Sequence, residues 1–210
     1  MSRLPRFSRG ERAIHHLTAL LMIVCLATAL CLYFPPVSTA VGRRDLIKPI
    51  HIWAGYLLPL PMLLGWISRA FRDDLRRLNR FTPGDWEWMR RKDRRDTSGG
   101  VGIVEVGKFN AGQKLNAAFT AGAILVMLAT GTIMTFPSPW PDDWRTGATF
   151  VHDWLFIGIF VVFLGHLWYA VRDRGALEGM TTGSVTPEWA AEHHSEWFRE
   201  VNGQSPPARP

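Results

Sequence analysis

Four stretches of this 210-residue chain carry almost no charge: Leu17–Phe34, Ile50–Ile67, Leu115–Phe136 and Thr149–Val171. Segments dense in arginine and aspartate separate them. Helices of a water-soluble protein place charged residues on their solvent face every few positions. Uncharged runs of roughly 18–23 residues instead match the need for about 20 apolar residues per bilayer-crossing helix. The pattern excludes a soluble enzyme and a disordered chain. It also excludes a transmembrane barrel, whose strands alternate apolar and polar residues over about ten positions.

The formal charge of +6 has its own geography. Of 24 lysines and arginines, 12 lie from Arg69 to Lys114, 4 precede His15 and 4 follow Val171. Only Arg43, Arg44, Lys48 and Arg145 remain for the other two loops. By the positive-inside rule this partition places both termini and the central loop, about residues 69–113, in the cytoplasm. The basicity therefore records topology and lipid contact, and no nucleic acid is expected as a partner. The first apolar run is too long for a signal-peptide core, and no small-x-small cleavage site precedes Pro35-Pro36. It is expected to stay as the first helix. Cys25 and Cys31, both inside it, match neither CxxC nor CxxCH and read as lipid-facing or core residues.

The expected fold is an all-α membrane protein. A four-transmembrane-helix bundle covers residues 1–175, and a cytoplasmic tail covers 176–210. Helix one ends at Tyr33-Phe34-Pro35-Pro36, since two prolines cannot continue it. Residues 37–48 read as a loop. Helix two starts near Pro49, a first-turn position, and is kinked by Pro59 and Pro61. Phe71–Leu78 is expected to extend helix two into water. Trp86-Glu87-Trp88 beside Arg90-Arg91-Lys92 reads as an interfacial helix, and Asp96–Gly102 as a turn. Helix three runs from about Gly112 to Phe136, and helix four from after Gly147 to about Arg172. A short tail helix is expected around Pro187–Val201.

Five of the seven histidines sit in or at the ends of the apolar runs. Ionisable groups there are costly and face the bundle interior, where they carry function. His193 and His194, in the polar tail, read as solvated. With the topology above, His15 and His16 lie near the inner surface, and His51 and His152 near the outer one. His166 follows His152 by 14 residues, nearly four turns, which puts both within about 40° of one helix face and about 21 Å apart. Two pairs result: His51 with His152, and His15 or His16 with His166. Two cross-helix histidine pairs stacked along a bundle suit two haems, each with bis-imidazole iron. Such iron has no open coordination position, so it carries electrons and does not bind oxygen. Gly55, Gly158 and Gly165 are small positions near the ligands. They serve either a flat macrocycle or close helix packing. Zinc or copper favours three or four ligands at one level, and Asp153 is the only acid near a pair.

Laid out this way, the chain resembles the cytochrome b, or gamma, subunit of respiratory membrane-bound formate dehydrogenases. The most specific motif is GKFNAGQK at Gly107–Lys114. Arg12-Ala13-x-His15, His51, His152 and His166 accompany it, as do the tail stretches Gly175–Met180, Val185–Trp189 and His193–Glu200. The resemblance implies two b haems, with His15, His51, His152 and His166 as axial ligands to the iron. His16 stands where relatives often carry tryptophan, which leaves it as the alternative to His15. The resemblance further implies an iron–sulfur beta subunit on the periplasmic side as electron donor, fed by a molybdenum or tungsten catalytic alpha subunit that oxidises formate. The chain itself would perform no formate chemistry. It would pass electrons to a quinone, menaquinone or ubiquinone, near the cytoplasmic face of the bacterial inner membrane, with a higher oligomer of the complex in prospect. The family's quinone site maps to Asn110, Gly112, Gln113 and His166. By themselves the residues Asn110–Gln113 read equally as an ordinary helix cap.

The same four-helix pattern with paired histidines occurs in cytochrome b subunits of nickel–iron hydrogenases and other molybdoenzymes. A histidine-based ion transporter and a haem-free membrane anchor are readings of another class. The transporter reading lacks several intramembrane carboxylates and paired broken helices.

Overall fold

Apolar side chains that face outward along the four long helices determine what surrounds them. In a computed structural model that describes residues 3–90 and 105–203, these helices are long and apolar enough to cross a membrane: Arg9–Tyr33, Arg44–Gly65, Ala111–Thr135 and Asp142–Arg172. Leu20, Trp53, Leu125 and Val161 are each more than half exposed. Water would penalise that surface by about 25 cal/mol for each Å², whereas acyl chains solvate it. The chain is an all-α, multi-pass membrane protein.

The element order is β1 (Leu4–Pro5), α1 (Arg9–Tyr33), α2 (Pro35–Val41), α3 (Arg44–Leu57), α4 (Leu60–Gly65), α5 (Arg69–Leu78), α6 (Pro83–Arg90), α7 (Ala111–Thr135), α8 (Asp142–Arg172), α9 (Arg174–Thr182), β2 (Ser184–Val185), α10 (Pro187–His193) and α11 (Ser195–Val201). α1 stops where expected, but Pro35 and Pro36 then open the short helix α2, because proline tolerates a first helical turn. The expected loop at 37–48 is thus mostly helical. α3 begins at Arg44, so Pro49 lies inside it and not in its first turn. Pro59 divides the second crossing into α3 and α4, as a missing N–H and a ring clash require. Phe71–Leu78 falls in a separate helix, α5, and not in a continuation. α8 starts at Asp142, earlier than Gly147. Its 31 residues span about 46 Å. The tail is two helices broken at His194, preceded by α9. Arg91, Lys92, the expected turn at 96–102 and the final prolines lie outside the described residues.

Two compact units divide the chain. One comprises Ala13–Ser68 and Phe119–Trp168. Its apolar core joins Leu26 of α1, Ala123 of α7, and Phe156 and Ile159 of α8. Polar ties between helices supplement it. Tyr56 of α3 donates its hydroxyl to Thr132 of α7 at 3.2 Å, and Arg44 donates to the Leu32 carbonyl at 3.1 Å.

The other unit comprises Met1–Arg12, Arg69–Ala118 and Tyr169–Pro210. β1 pairs antiparallel with β2, Leu4 opposite Val185. The amides of Arg6 and Phe7 both donate to the Gly183 carbonyl, at 2.8 and 3.0 Å. Gly183 has φ of +92°, and a Cβ there would lie 2.7 Å from the Phe7 carbonyl oxygen, so only glycine fits. Val185, Ala190 and Trp197 form the small core. Against it lies Arg6, 5% exposed, with its guanidinium 4.7 Å from the Trp189 ring centre. Burial pushes that guanidinium down to about 10.

His194 is buried and not solvated, which corrects the sequence expectation. Its Nδ1 donates to the Gly107 carbonyl at 2.7 Å, and its Nε2 accepts from Arg6 at 3.0 Å. Burial first, then the Arg6 charge, hold it well below its ordinary value, so the ring is neutral. The reason is local. α10 and α11 meet at this residue, and the break turns the ring inward onto the 105–110 segment.

Both lysines of the Gly107–Lys114 stretch are half-buried and pair with buried carboxylates. Lys108 Nζ donates to both oxygens of Asp74 at 2.6 Å and lies 3.5 Å from Glu11. Glu11 in turn accepts the Ser8 amide at 2.6 Å, closing a capping box on α1. Burial and the adjoining Glu11 carboxyl raise Asp74 to about 7, against the pull of Lys108. Lys114 Nζ reaches Asp85 at 2.7 and 2.9 Å. Removing one partner of a buried ion pair strands the other and costs about 3–5 kcal/mol. Lys108→Met should therefore lower the melting temperature of the detergent-solubilised protein, followed by tryptophan fluorescence, far more than Asp74→Asn, which still accepts a hydrogen bond. Equal melting temperatures for the two variants would show that Lys108 has no such role.

Candidate functional site

Histidine inside an apolar helix must find a partner for two ring nitrogens without help from water. His51 lies in α3, and its ring centre is 6.2 Å from that of His152 in α8, with the planes at 72°. His15 of α1 lies 6.3 Å from His166 of α8, with the planes at 56°. His16 forms an edge contact with His15 and is exposed, as is His166. Because α8 is continuous from Asp142 to Arg172, the two pairs stay about 21 Å apart along that helix.

Such separations also occur in ordinary ring packing, and hydrogen bonding is what distinguishes the His51–His152 pair. Thr28 Oγ1 lies 2.6 Å from the Val24 carbonyl and 2.8 Å from His51 Nδ1; with its proton on the nearer carbonyl it accepts from Nδ1. Thr130 repeats this, donating to the Val126 carbonyl at 2.8 Å and accepting from His152 Nδ1 at 2.9 Å. With the hydroxyl protons on the helix carbonyls, each ring would carry its proton on Nδ1 and leave a lone pair on Nε2, the arrangement of a metal-ligating histidine. Among the described residues Nε2 of neither ring has a protein partner. Sequence reasoning missed both threonines, because no spacing links residue 28 to 51 or 130 to 152.

The residues fit a b-type haem in three respects. An imidazole nitrogen lies about 2 Å from a bound transition metal and the ring centre roughly 1.2 Å beyond it, so opposed ligands place ring centres about 6.4 Å apart. Both observed pairs lie within about 0.2 Å of that value. At Gly55 and Gly165, an added Cβ would meet no atom within 4 Å. Close helix packing therefore does not explain these two glycines, and space lies open one turn from His51 and beside His166. At Gly158 a Cβ would touch Phe119 at 4.0 Å, an ordinary packing contact. Thr18, three residues from His15, carries a buried hydroxyl with no hydrogen-bond partner. Among the described residues, no group of three or more His, Cys, Asp or Glu gathers to hold a metal, and Cys25 and Cys31 are free thiols.

The Asn110–Gln113 segment forms a reciprocal cap on α7. Asn110 Oδ1 accepts the Gln113 amide at 2.9 Å, and Gln113 Oε1 accepts the Asn110 amide at 3.0 Å. The cap also orients Asn110: its oxygen must face the Gln113 N–H, which leaves Nδ2 as a donor pointing elsewhere. Gly112 is enclosed by Asn110 and Trp88, with a Cβ there 3.4 Å from the Trp88 ring. Losing such a cap costs about 1 kcal/mol. Asn110→Ala should speed hydrogen exchange at the Gln113 amide by about fivefold, while Asn110→Asp, which can still accept, should leave it near the wild-type rate. Unchanged exchange in Asn110→Ala would remove the cap as a stabilising contact.

Comparison with known proteins adds a separate line of observation. The sequence pattern of the family described as prokaryotic cytochrome b561 matches residues 6–183. The cytochrome b556(Fdn) subunit of the nitrate-inducible formate dehydrogenase of Escherichia coli is 32% identical over 102 residues, 47% of this chain and 47% of that protein. The chain thus spans about half the length of that relative. The cytochrome b556(fdo) subunit of formate dehydrogenase from the same organism is 27% identical over 93% of this chain and 92% of its own length. The formate dehydrogenase cytochrome b556 subunit of Haemophilus influenzae is 23% identical over 95% of this chain and 84% of its own.

Proposed function

The chain belongs to the prokaryotic cytochrome b561 family, and from that premise we propose that it is the transmembrane electron-transfer subunit of a formate:quinone oxidoreductase. The observation that carries this reading is the pair of facing histidine sites in an apolar four-helix protein. His51 with His152, and His15 with His166, would each hold one haem b through Nε2. Haem supplies a one-electron carrier whose iron has no open position when two imidazoles bind it. The formate assignment rests on the names of the relatives over nearly the full chain.

In this reading both termini are cytoplasmic, the membrane is the bacterial inner membrane, and the His51–His152 site lies toward the periplasm. An iron–sulfur subunit delivers electrons there from a molybdenum- or tungsten-dependent subunit. Oxidation of formate to carbon dioxide releases two electrons and one proton. Reduction of a quinone to quinol consumes two electrons and two protons, taken here from the cytoplasm. Haems held by the two pairs would relay electrons along α8, and the membrane potential would be charged because entry and exit would lie on opposite faces. The quinone is held at Asn110, Gly112 and Gln113. The cap frees Asn110 Nδ2 to donate to a quinone carbonyl. His166 is assigned to iron.

Haem stoichiometry tests the pairs. His51→Ala and His15→Ala should each leave one haem per chain in the pyridine haemochrome assay, and His16→Ala should leave two. Loss of a haem in His16→Ala with retention in His15→Ala would move that ligand by one residue. The quinone site is tested by Asn110→Asp, which keeps the cap and has no amide donor. Stopped-flow reoxidation of the pre-reduced complex by a quinone analogue should slow several-fold, the scale of a hydrogen bond worth about 1 kcal/mol. Haem content and reduction by formate should persist. Reoxidation at the wild-type rate would mean that Asn110 is a cap alone.

A further inference from the structure

Threonine hydroxyls on membrane helices commonly bond the carbonyl four residues back. Thr132 and Thr135 do so here at 2.7 Å each. Thr28 and Thr130 share the habit, yet each spends its remaining acceptor capacity on a histidine: His51 at 2.8 Å and His152 at 2.9 Å. The two threonines lie on different helices, α1 and α7, and converge on one pair. His15 and His166 have no hydrogen bond at either ring nitrogen among the described residues. Two histidine pairs on one chain therefore differ in whether a hydroxyl bonds the ring.

We propose that Thr28 and Thr130 are positioning residues that turn Nε2 of His51 and His152 toward iron and hold the potential of that centre below that of the His15–His166 centre. The proposal rests on the reading of both pairs as haem ligands. Each chain of bonds runs from N–H through the hydroxyl to a helix carbonyl, and hydrogen bonds in such chains polarise one another. The Nδ1 proton is drawn partly toward the threonine oxygen, which leaves the imidazole richer in electrons. A hydrogen bond on the distal nitrogen of a ligating histidine raises its basicity. A more basic ligand stabilises ferric iron over ferrous, and second-shell hydrogen bonding is a recognised lever on haem potential. The His15–His166 rings lack this donation, so their centre is the better electron acceptor. The transfer from the first pair to the second then runs downhill, in the direction the proposed function requires.

The test is an optical redox titration of the whole purified complex carrying Thr28→Val or Thr130→Val. Valine keeps the branched shape and removes the oxygen. The wild type should show two b-type components of unequal potential. In each valine variant the reduced-to-oxidised ratio of the lower component at a fixed applied potential should rise about tenfold, 59 mV for one electron. The upper component should stay in place. Thr28→Ser and Thr130→Ser, which retain the hydroxyl, should return the wild-type value. Loss of the lower-potential haem in the valine variants, with retention in the serine variants, would equally identify the hydroxyl as what holds the ring. Valine variants with unchanged potentials, a parallel shift of both components, or serine variants indistinguishable from valine would overturn the proposal. A wild-type complex with fewer than two haem b components would overturn the reading of the pairs, and this proposal with it.

Discussion

A bilayer offers no water to a buried ring nitrogen, and every polar atom placed in it must be satisfied from within the protein. The backbone meets that demand by forming four long helices. His51 and His152 meet part of it through hydrogen bonds between Nδ1 and the hydroxyls of Thr28 and Thr130. The proposed haems would take the Nε2 lone pairs. The open space at Gly55 and Gly165 and the 6.2–6.3 Å ring separations suit that proposal, because a flat cofactor needs both a gap and a ligand on each side. In the membrane-spanning unit the buried apolar cluster of Leu26, Ala123, Phe156 and Ile159 is supplemented by such polar ties between helices.

The water-facing unit is organised by the opposite economy, in which charge is buried and compensated. Lys108 and Lys114 leave solvent for Asp74 and Asp85. His194 is held neutral between Arg6 and the Gly107 carbonyl. The Val106 carbonyl accepts the Glu196 amide at 3.1 Å, and Arg199 pairs with Glu105. The two most distinctive stretches of the sequence, Gly107–Lys114 and His193–Glu200, are therefore one structural device. The tail clamps the segment that leads into α7, and the Asn110–Gln113 cap is set at its end. A motif that reads as a ligand site in one dimension is first of all an anchored helix start, and any ligand chemistry at Asn110 is built on that anchoring.

Charge and hydropathy along the chain were sufficient to read four crossings, because the bilayer enforces length and apolarity on each crossing independently of what it packs against. Helix ends were less legible. Pro49 within α3 and the early start of α8 at Asp142 depend on interfacial residues that are helical without being apolar. The burial of His194 was invisible for a related reason. A polar tail reads as solvated until the partner for its ring, the Gly107 carbonyl 87 residues away, is brought to it.

The sequence by itself determined the four segments long and apolar enough to cross a membrane, the distribution of positive charge and the spacing of the histidines along each segment. These are properties of single helices, set by a rise of about 1.5 Å per residue and by the cost of charge in hydrocarbon. Tertiary structure decided which groups meet: that the His15 ring comes within 6.3 Å of His166, that threonines from α1 and α7 hydrogen-bond Nδ1 of His51 and His152, and that the Asn110–Gln113 cap lies between two lysines held by carboxylates. Those outcomes depend on the rotation of one helix against another and on hydrogen bonds between residues far apart in the chain, and no periodicity within a single segment encodes them.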